Sequence, residues 1–137
     1  MGQQTVRITT DTNILIRAAV QDEPYQARQA AKLLQDADLI AVPLPVLCEF
    51  VWVLRRGYKK SIAEIANAIR RLIKSHNVET NRTAVEVGLS VLEAGGDFAD
   101  GVIAFEGESL RADEFVSFDS KAVSVLRARG TSARLLS

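Results

Sequence analysis

The spacing of apolar and polar positions changes repeatedly along the chain. A β-prone run over residues 6–10 leads into Asp11-Thr12-Asn13, and apolar residues at helical spacing, Ile14, Leu15, Ala18 and Ala19, follow at once. Helical spacing returns over 24–34, where Pro24 suits a first turn. Residues 39–42 read as a short apolar strand, and a longer helix is expected from 45 to 58, closed near Gly57. Ser61 is placed to cap a helix over 62–75, with Ile62, Ile65, Ile69, Leu72 and Ile73 on one face. Val85, Leu89 and Leu92 mark a further helix stopped by Gly95-Gly96, and Asp97 opens another that runs to Phe105. A strand over 114–118, a helix over 120–129 ending at Gly130, and a last strand over 133–136 complete the pattern.

Strands alternating with helices imply an α/β fold, a parallel sheet covered by helices on both faces. The sequence shows no repeats, no low-complexity stretch and no long linker, so the 137 residues read as a single domain, 1–137, large enough for a real core. Ligands of such folds gather outside the carboxyl ends of the strands. Asp11 stands at that end of the first strand, and Asp119 at that end of "EFVSF". If both strands belong to one sheet, both acids reach the same edge.

Composition narrows the classes. With 17 basic and 17 acidic residues, the chain is not a strongly basic nucleic-acid module, although local basic patches remain open. The single cysteine, Cys48, excludes an internal disulfide and suits a cytoplasmic protein. "MGQQTVR" carries no apolar leader, and the longest apolar run, 39–48, is too short and too rich in proline to span a membrane.

Glu49 is the only charged side chain between Leu39 and Leu54. At about 100° per residue its helical neighbours are Pro45, Val46, Trp52 and Val53, so it is expected on an apolar face, where an unpaired carboxylate is costly or raised in pKa. Arg56 shares that face at roughly 10 Å along the axis, too far for a direct pair. "GGDFADGVIAFEG" places Asp97 and Asp100 three apart at a helix start. Capping explains both, with Asp97 as cap and Asp100 at the third helical position. Yet Ile103 and Ala104 put Asp100 at the end of an apolar stripe, which leaves a functional role open.

Asp11, Glu49, Asp100 and Asp119 thus come from four separate elements, each at a junction or on an apolar face. Like charges brought together repel unless protonated or neutralised by a cation. All-oxygen donors without a His or Cys cluster point to Mg²⁺ or Mn²⁺ rather than zinc. His76, at a helix end, reads as surface, and Cys48 as core.

The motifs "DTNILIR", "CEFVWVLRRGY", "DFADGVIA" and "VSFDSKA", in this order and spacing, resemble the PIN-domain ribonucleases, and most of all the VapC-type toxins of toxin–antitoxin pairs. The resemblance covers essentially the whole chain. It implies a PIN-like three-layer α/β/α sandwich with a short, mainly parallel central sheet. It also implies a Mg²⁺- or Mn²⁺-dependent endoribonuclease, a cognate VapB-type antitoxin and a homodimer. By resemblance Asp11, Glu49, Asp100 and Asp119 match the catalytic and metal-holding acids. Asp97 matches a frequent extra acid, and Asn13 and Ser117 match small polar supports. Ser117 stands where Thr is more usual, and Gly101 where Ala is common; neither change removes a ligand.

Phosphodiester hydrolysis needs charge stabilisation at phosphorus, an activated water and help for the leaving oxygen, which metal ions held by carboxylates supply. Asp11, Asp100 and Asp119 are expected to hold the metal, with Glu49 as ligand or water-orienting base. Arg55 and Arg56 are the cations best placed to approach an RNA phosphate; Lys59-Lys60 and Arg70, Arg71 and Lys74 read as solvated helix ends. Two other classes fit less well. An aspartate phosphorylation domain, a receiver or a phosphatase, uses an Asp after a strand as Asp11 is placed, but gives Glu49 no role. A non-catalytic partner-binding protein has no use for clustered acids that destabilise a metal-free fold.

Overall fold

The computed structural model describes residues 5–137; the absence of a leader read from the first residues concerns a stretch, 1–4, outside the described residues. The chain divides between Asn81 and Arg82 into two compact units.

The unit up to Asn81 is built on three parallel strands in the order β1-β2-β3, namely β1 (Arg7–Thr9), β2 (Leu39–Ala41) and β3 (Val78–Glu79). Parallel neighbours require crossover connections. Helices α1 (Thr12–Val20) and α2 (Pro24–Asp36) supply the first, and α3 (Leu44–Trp52) and α4 (Ile62–Lys74) the second. Ile40, at the centre of the middle strand, is 1% exposed and pairs with Ile8 and Val78 in register. Leu15 and Ile16 of α1, Leu47 and Phe50 of α3, and Ile65 and Ile69 of α4 are buried in this unit. Each such side chain contributes about 1.5–3 kcal/mol relative to exposure. On α4 the apolar face falls where its spacing predicts: Ile65, Ile69 and Ile73 are buried, and Ile62 and Leu72 half-buried. Ser61 caps this helix in a reciprocal box with Glu64, each side chain accepting from the other's backbone N–H at 3.1 Å.

Two features depart from expectation. β3 is absent from the sequence reading because two residues carry no period. It is fixed instead from outside, by the buried Asn77, whose side-chain amide donates to the carbonyls of Leu34 and Ala37 at 2.9 Å. The helix expected over 45–58 has those bounds nearly, but from Val53 to Gly57 it widens into a π-helical turn, with Tyr58 N–H donating to the Val53 carbonyl. A count at 3.6 residues per turn from Glu49 to Arg56 therefore fails, and the shared face predicted for them does not follow.

The unit from Arg82 contains α5 (Arg82–Glu93), α6 (Phe98–Ser109), α7 (Ser120–Ala128) and a parallel pair, β4 (Phe115–Ser117) with β5 (Ala133–Leu135). Val91, Ala104, Val123, Leu126 and Ala133 form its core cluster. Helices α5 and α6 approach closely at two glycines: a Cβ built on Gly101 would lie 2.9 Å from the Gly88 Cα. The Gly101 that departs from the usual Ala thus has a packing reason. α6 extends beyond Phe105 to Ser109, since nothing in "EGES" breaks a helix decisively. β1 and β4 lie in separate ladders, a three-stranded and a two-stranded one.

Candidate active site

In the first unit the carboxyl ends of the parallel strands lead directly into helices, and this delivers two of the predicted acids. Asp11 follows β1 and is the N-cap of α1; its Oδ1 accepts from Ile14 N–H at 3.1 Å. Helix α3 begins just past β2 and carries Glu49. Asp11, Asn13 and Glu49 line one cavity of about 330 Å³, walled by Pro45 and Val46. This is the strand-edge placement that α/β topology predicts.

Glu49 departs from the sequence reading in one respect. It is exposed, and of its helical neighbours Pro45 and Trp52 are exposed as well, with Val46 and Val53 half-buried. The apolar face is real, but it opens to solvent. Cys48, expected in the core, is half-buried. His76 is exposed, as read.

The second unit gathers the other three. Asp97 caps α6, its Oδ1 accepting from Ala99 N–H at 3.1 Å, and Asp100 occupies the third helical position as predicted. Asp119 caps α7, with Oδ1 accepting from Lys121 and Ala122 N–H at 3.0 and 3.2 Å. Ser117 supports it directly, its Oγ accepting from Asp119 N–H at 2.9 Å. Asp100 is half-buried, and its carboxyl is held above the usual carboxylate range, first by burial and then by the charges of Asp97 and Asp119. Ala104, one turn on, is buried, whereas Ile103 is 54% exposed, so the apolar stripe is narrower than expected.

Asp11, Asp97 and Asp119 each commit one oxygen to a helix N-terminus, and among the described residues the other has no hydrogen-bond partner. The N-terminal dipoles of α1, α6 and α7 favour the negative charge on these caps. Among the described residues no group of three or more His, Cys, Asp or Glu side chains stands arranged to hold a metal ion. The donor set is nevertheless hard oxygen throughout, and Asp100 lies in a field of like charge that a divalent cation relieves.

Arg55 and Arg56 are both exposed, in the last turn of the π-helical segment. Sequence reasoning missed two features beside Asp11. The Thr10 hydroxyl is buried with no hydrogen-bond partner among the described residues. Arg17 is tied into a network, its Nη1 donating to Asp22 Oδ1 at 2.9 Å and to Tyr58 Oη at 3.4 Å, while Tyr58 Oη donates to Asp22 Oδ2 at 3.1 Å. Arg17 and Asp22 are five residues apart, but Tyr58 lies 41 residues from Arg17, and no periodicity connects it to them.

No curated protein matches the chain. The family model of the PIN domain matches residues 8–126, which includes every acid described above and runs through both units. With that match over most of its length, and with parallel strands leading into acid-capped helices, the chain belongs to the PIN-domain family.

Proposed function

We propose that this protein is a metal-dependent endoribonuclease, the toxin component of a VapBC-type toxin–antitoxin pair, acting as one PIN-like domain over 1–137. PIN domains are generally nucleases, and the observation that carries the finer reading is the placement of the acids within the family match. Asp11 and Glu49 line one cavity, and Asp97 and Asp119 act electrostatically on Asp100.

Asp11, Asp100 and Asp119 are the residues that would hold Mg²⁺ or Mn²⁺, with Glu49 as a further ligand or as base. The ion, when bound, supplies charge stabilisation at the phosphorus and a more acidic water. The chain's own contribution is positional. Capping bonds fix the carboxylates of Asp11 and Asp119, and Ser117 fixes the backbone of Asp119. Glu49, exposed in its cavity and not used as a cap, is free to take a proton from the attacking water at its carboxylate. Asn13 lines the same cavity, and Asp97 adds negative charge beside Asp100. Arg55 and Arg56 hold the RNA backbone in this reading. The partners are an RNA substrate, a cognate VapB-type antitoxin that brings Arg or Lys to the acids, and a second copy of the chain; the location is cytoplasmic. No helix among the described residues is long and apolar enough to cross a membrane.

The test is incubation of purified protein with structured RNAs in Mg²⁺, in Mn²⁺ and in chelator. Chelator-sensitive cleavage is expected, leaving a 5′-phosphate and a 3′-hydroxyl, and persisting when the sugar at the cut is 2′-deoxy. A cyclic phosphate lost on 2′-deoxy substitution overturns the water mechanism. No cleavage, with a stable aspartyl phosphate formed from a phosphodonor, replaces the reading with a phosphorylation domain.

A further inference from the structure

Asp11 borders a second cavity besides the one it shares with Glu49. This one, of about 610 Å³, lies on the side of α1 and α2 and is lined by Asn13, Arg17, Gln26 and Gln29. Its volume falls in the range of small-ligand sites. Asp11 apart, its polar lining is amides and a guanidinium, rich in N–H donors, with acceptors only on the amides.

Gln26 and Gln29 are three residues apart on α2 and share a helix face. A carboxamide offers a donor and an acceptor side by side, which is the pattern that pairs two-pronged with the edge of a nucleobase. Gln29 is steadied within its own helix, where its Nε2 donates to Tyr25 Oη at 3.2 Å. The Gln26 amide has no hydrogen-bond partner among the described residues. Arg17 is held by the Asp22 and Tyr58 network through Nη1, and among the described residues its remaining N–H groups have no hydrogen-bond partner. A guanidinium fixed in this way loses little freedom when it meets a phosphate or a sugar oxygen.

We propose that this cavity is a base-reading subsite for an unpaired RNA nucleotide beside the cut. Gln26 and Gln29 pair with the base edge, and Arg17 anchors the backbone of the same nucleotide. The proposal rests on the endoribonuclease reading, since it needs RNA to lie along Asp11. Arg17 stands six residues beyond Asp11, about 9 Å of helical rise. That short span keeps the nucleotide that is read close beside the scissile phosphate. Sequence-specific recognition of RNA generally proceeds through splayed single-stranded bases of this kind.

The experiment measures binding of fluorescein-labelled hexamers of rA, rC and rU by anisotropy in Ca²⁺, with the recovered oligonucleotides checked for integrity. The wild-type protein is expected to separate the tightest from the weakest by fivefold or more. Gln26→Ala with Gln29→Ala should compress that ratio below twofold and leave the weakest affinity within twofold of its original value. Both positions are exposed on a helix where Ala is a better former, and matched unfolding curves verify the fold. Arg17→Gln should weaken all three RNAs alike. A wild-type protein that binds without discrimination, or a double variant that keeps the full ratio, overturns the subsite alone. A uniform loss for all three RNAs in the double variant makes the amides backbone contacts and overturns base reading. Failure of the wild type to bind any of the RNAs overturns the nuclease reading together with the subsite.

Discussion

Replacing Gly101 by Ala sets two opposing effects against each other at the point where α5 and α6 meet. In a helix interior Ala is favoured over Gly by about 0.5–1 kcal/mol. Against this, the new Cβ would lie 2.9 Å from the Gly88 Cα, 2.9 Å from Val91 Cγ2 and 3.0 Å from the Val87 carbonyl oxygen. Two of the three are backbone atoms, which no rotamer change can withdraw. Gly88 cannot yield easily either, because a Cβ there would meet the Phe98 ring at 2.7 Å, so ring and backbone are already in close contact. The helices must part by several tenths of an ångström, and overpacking of this kind costs about 1–3 kcal/mol. The steric effect wins, for a net loss of about 1–2 kcal/mol. Gly107 on the same helix is the control, since its added Cβ would meet only the Ala112 Cβ at 3.9 Å; Gly107→Ala should gain up to about 1 kcal/mol. Urea unfolding with fitted m-values reads both variants. Gly101→Ala proving as stable as Gly107→Ala would refute the close approach of the two helices. RNA cleavage should fall along with stability only at Gly101, because that helix start carries Asp97 and Asp100.

Glu49→Gln should reduce RNA cleavage by about 10²–10⁴-fold and change stability by less than about 0.5 kcal/mol, as expected for an exposed side chain; retained activity would assign Glu49 to the surface alone. Thr10→Val keeps the shape and removes a buried hydroxyl that has no hydrogen-bond partner among the described residues, so it should stabilise by roughly 1 kcal/mol; a loss measured by urea unfolding would show that the hydroxyl is satisfied. Asp100 has a native pKa raised above its unfolded value of 3.8, so the native state binds more protons in that window. Its contribution to stability therefore declines as pH rises from about the unfolded value through the raised native one, and Asp100→Asn should flatten this slope in metal-free unfolding curves. Mn²⁺ should raise the melting temperature of the wild-type protein through binding to the native state alone, and an equal rise in an Asp11→Asn, Asp100→Asn double variant would place the ion elsewhere.

Most of the fold was legible because most of it is written in period and punctuation. Ser61, Asp97 and Gly130 mark boundaries through capping and backbone chemistry that act locally, and the face of α4 follows from a 3.6-residue repeat. What escaped depends on contacts between distant residues. β3 is two residues long and owes its place to Asn77 bonding to the carbonyls of Leu34 and Ala37. The π-helical turn at Val53–Gly57 leaves no mark in composition, since apolar spacing constrains which face is buried and not the winding that presents it.

The acids show why a site can be half legible. Asp11, Asp97 and Asp119 satisfy the capping rule completely, so the sequence offered an ordinary explanation for each, and the structure bears that explanation out. Capping does not compete with a functional role, however, because it occupies one carboxylate oxygen and fixes the position of the other. Glu49 was the reverse case. Its apolar neighbours singled it out through an inferred burial that the structure does not show, yet it shares a cavity with Asp11 and serves no cap. The two roles of the caps are chemically separable, because Asn accepts a backbone N–H as well as Asp does but carries no charge. Asp119→Asn therefore retains the start of α7 while removing the charge, whereas Asp119→Ala removes both. If the acids are only caps, Asn should be silent in every assay and Ala should cost about 1 kcal/mol of stability. If they also hold a cation, Asn should abolish cleavage in a protein of unchanged stability, an outcome that capping alone cannot produce.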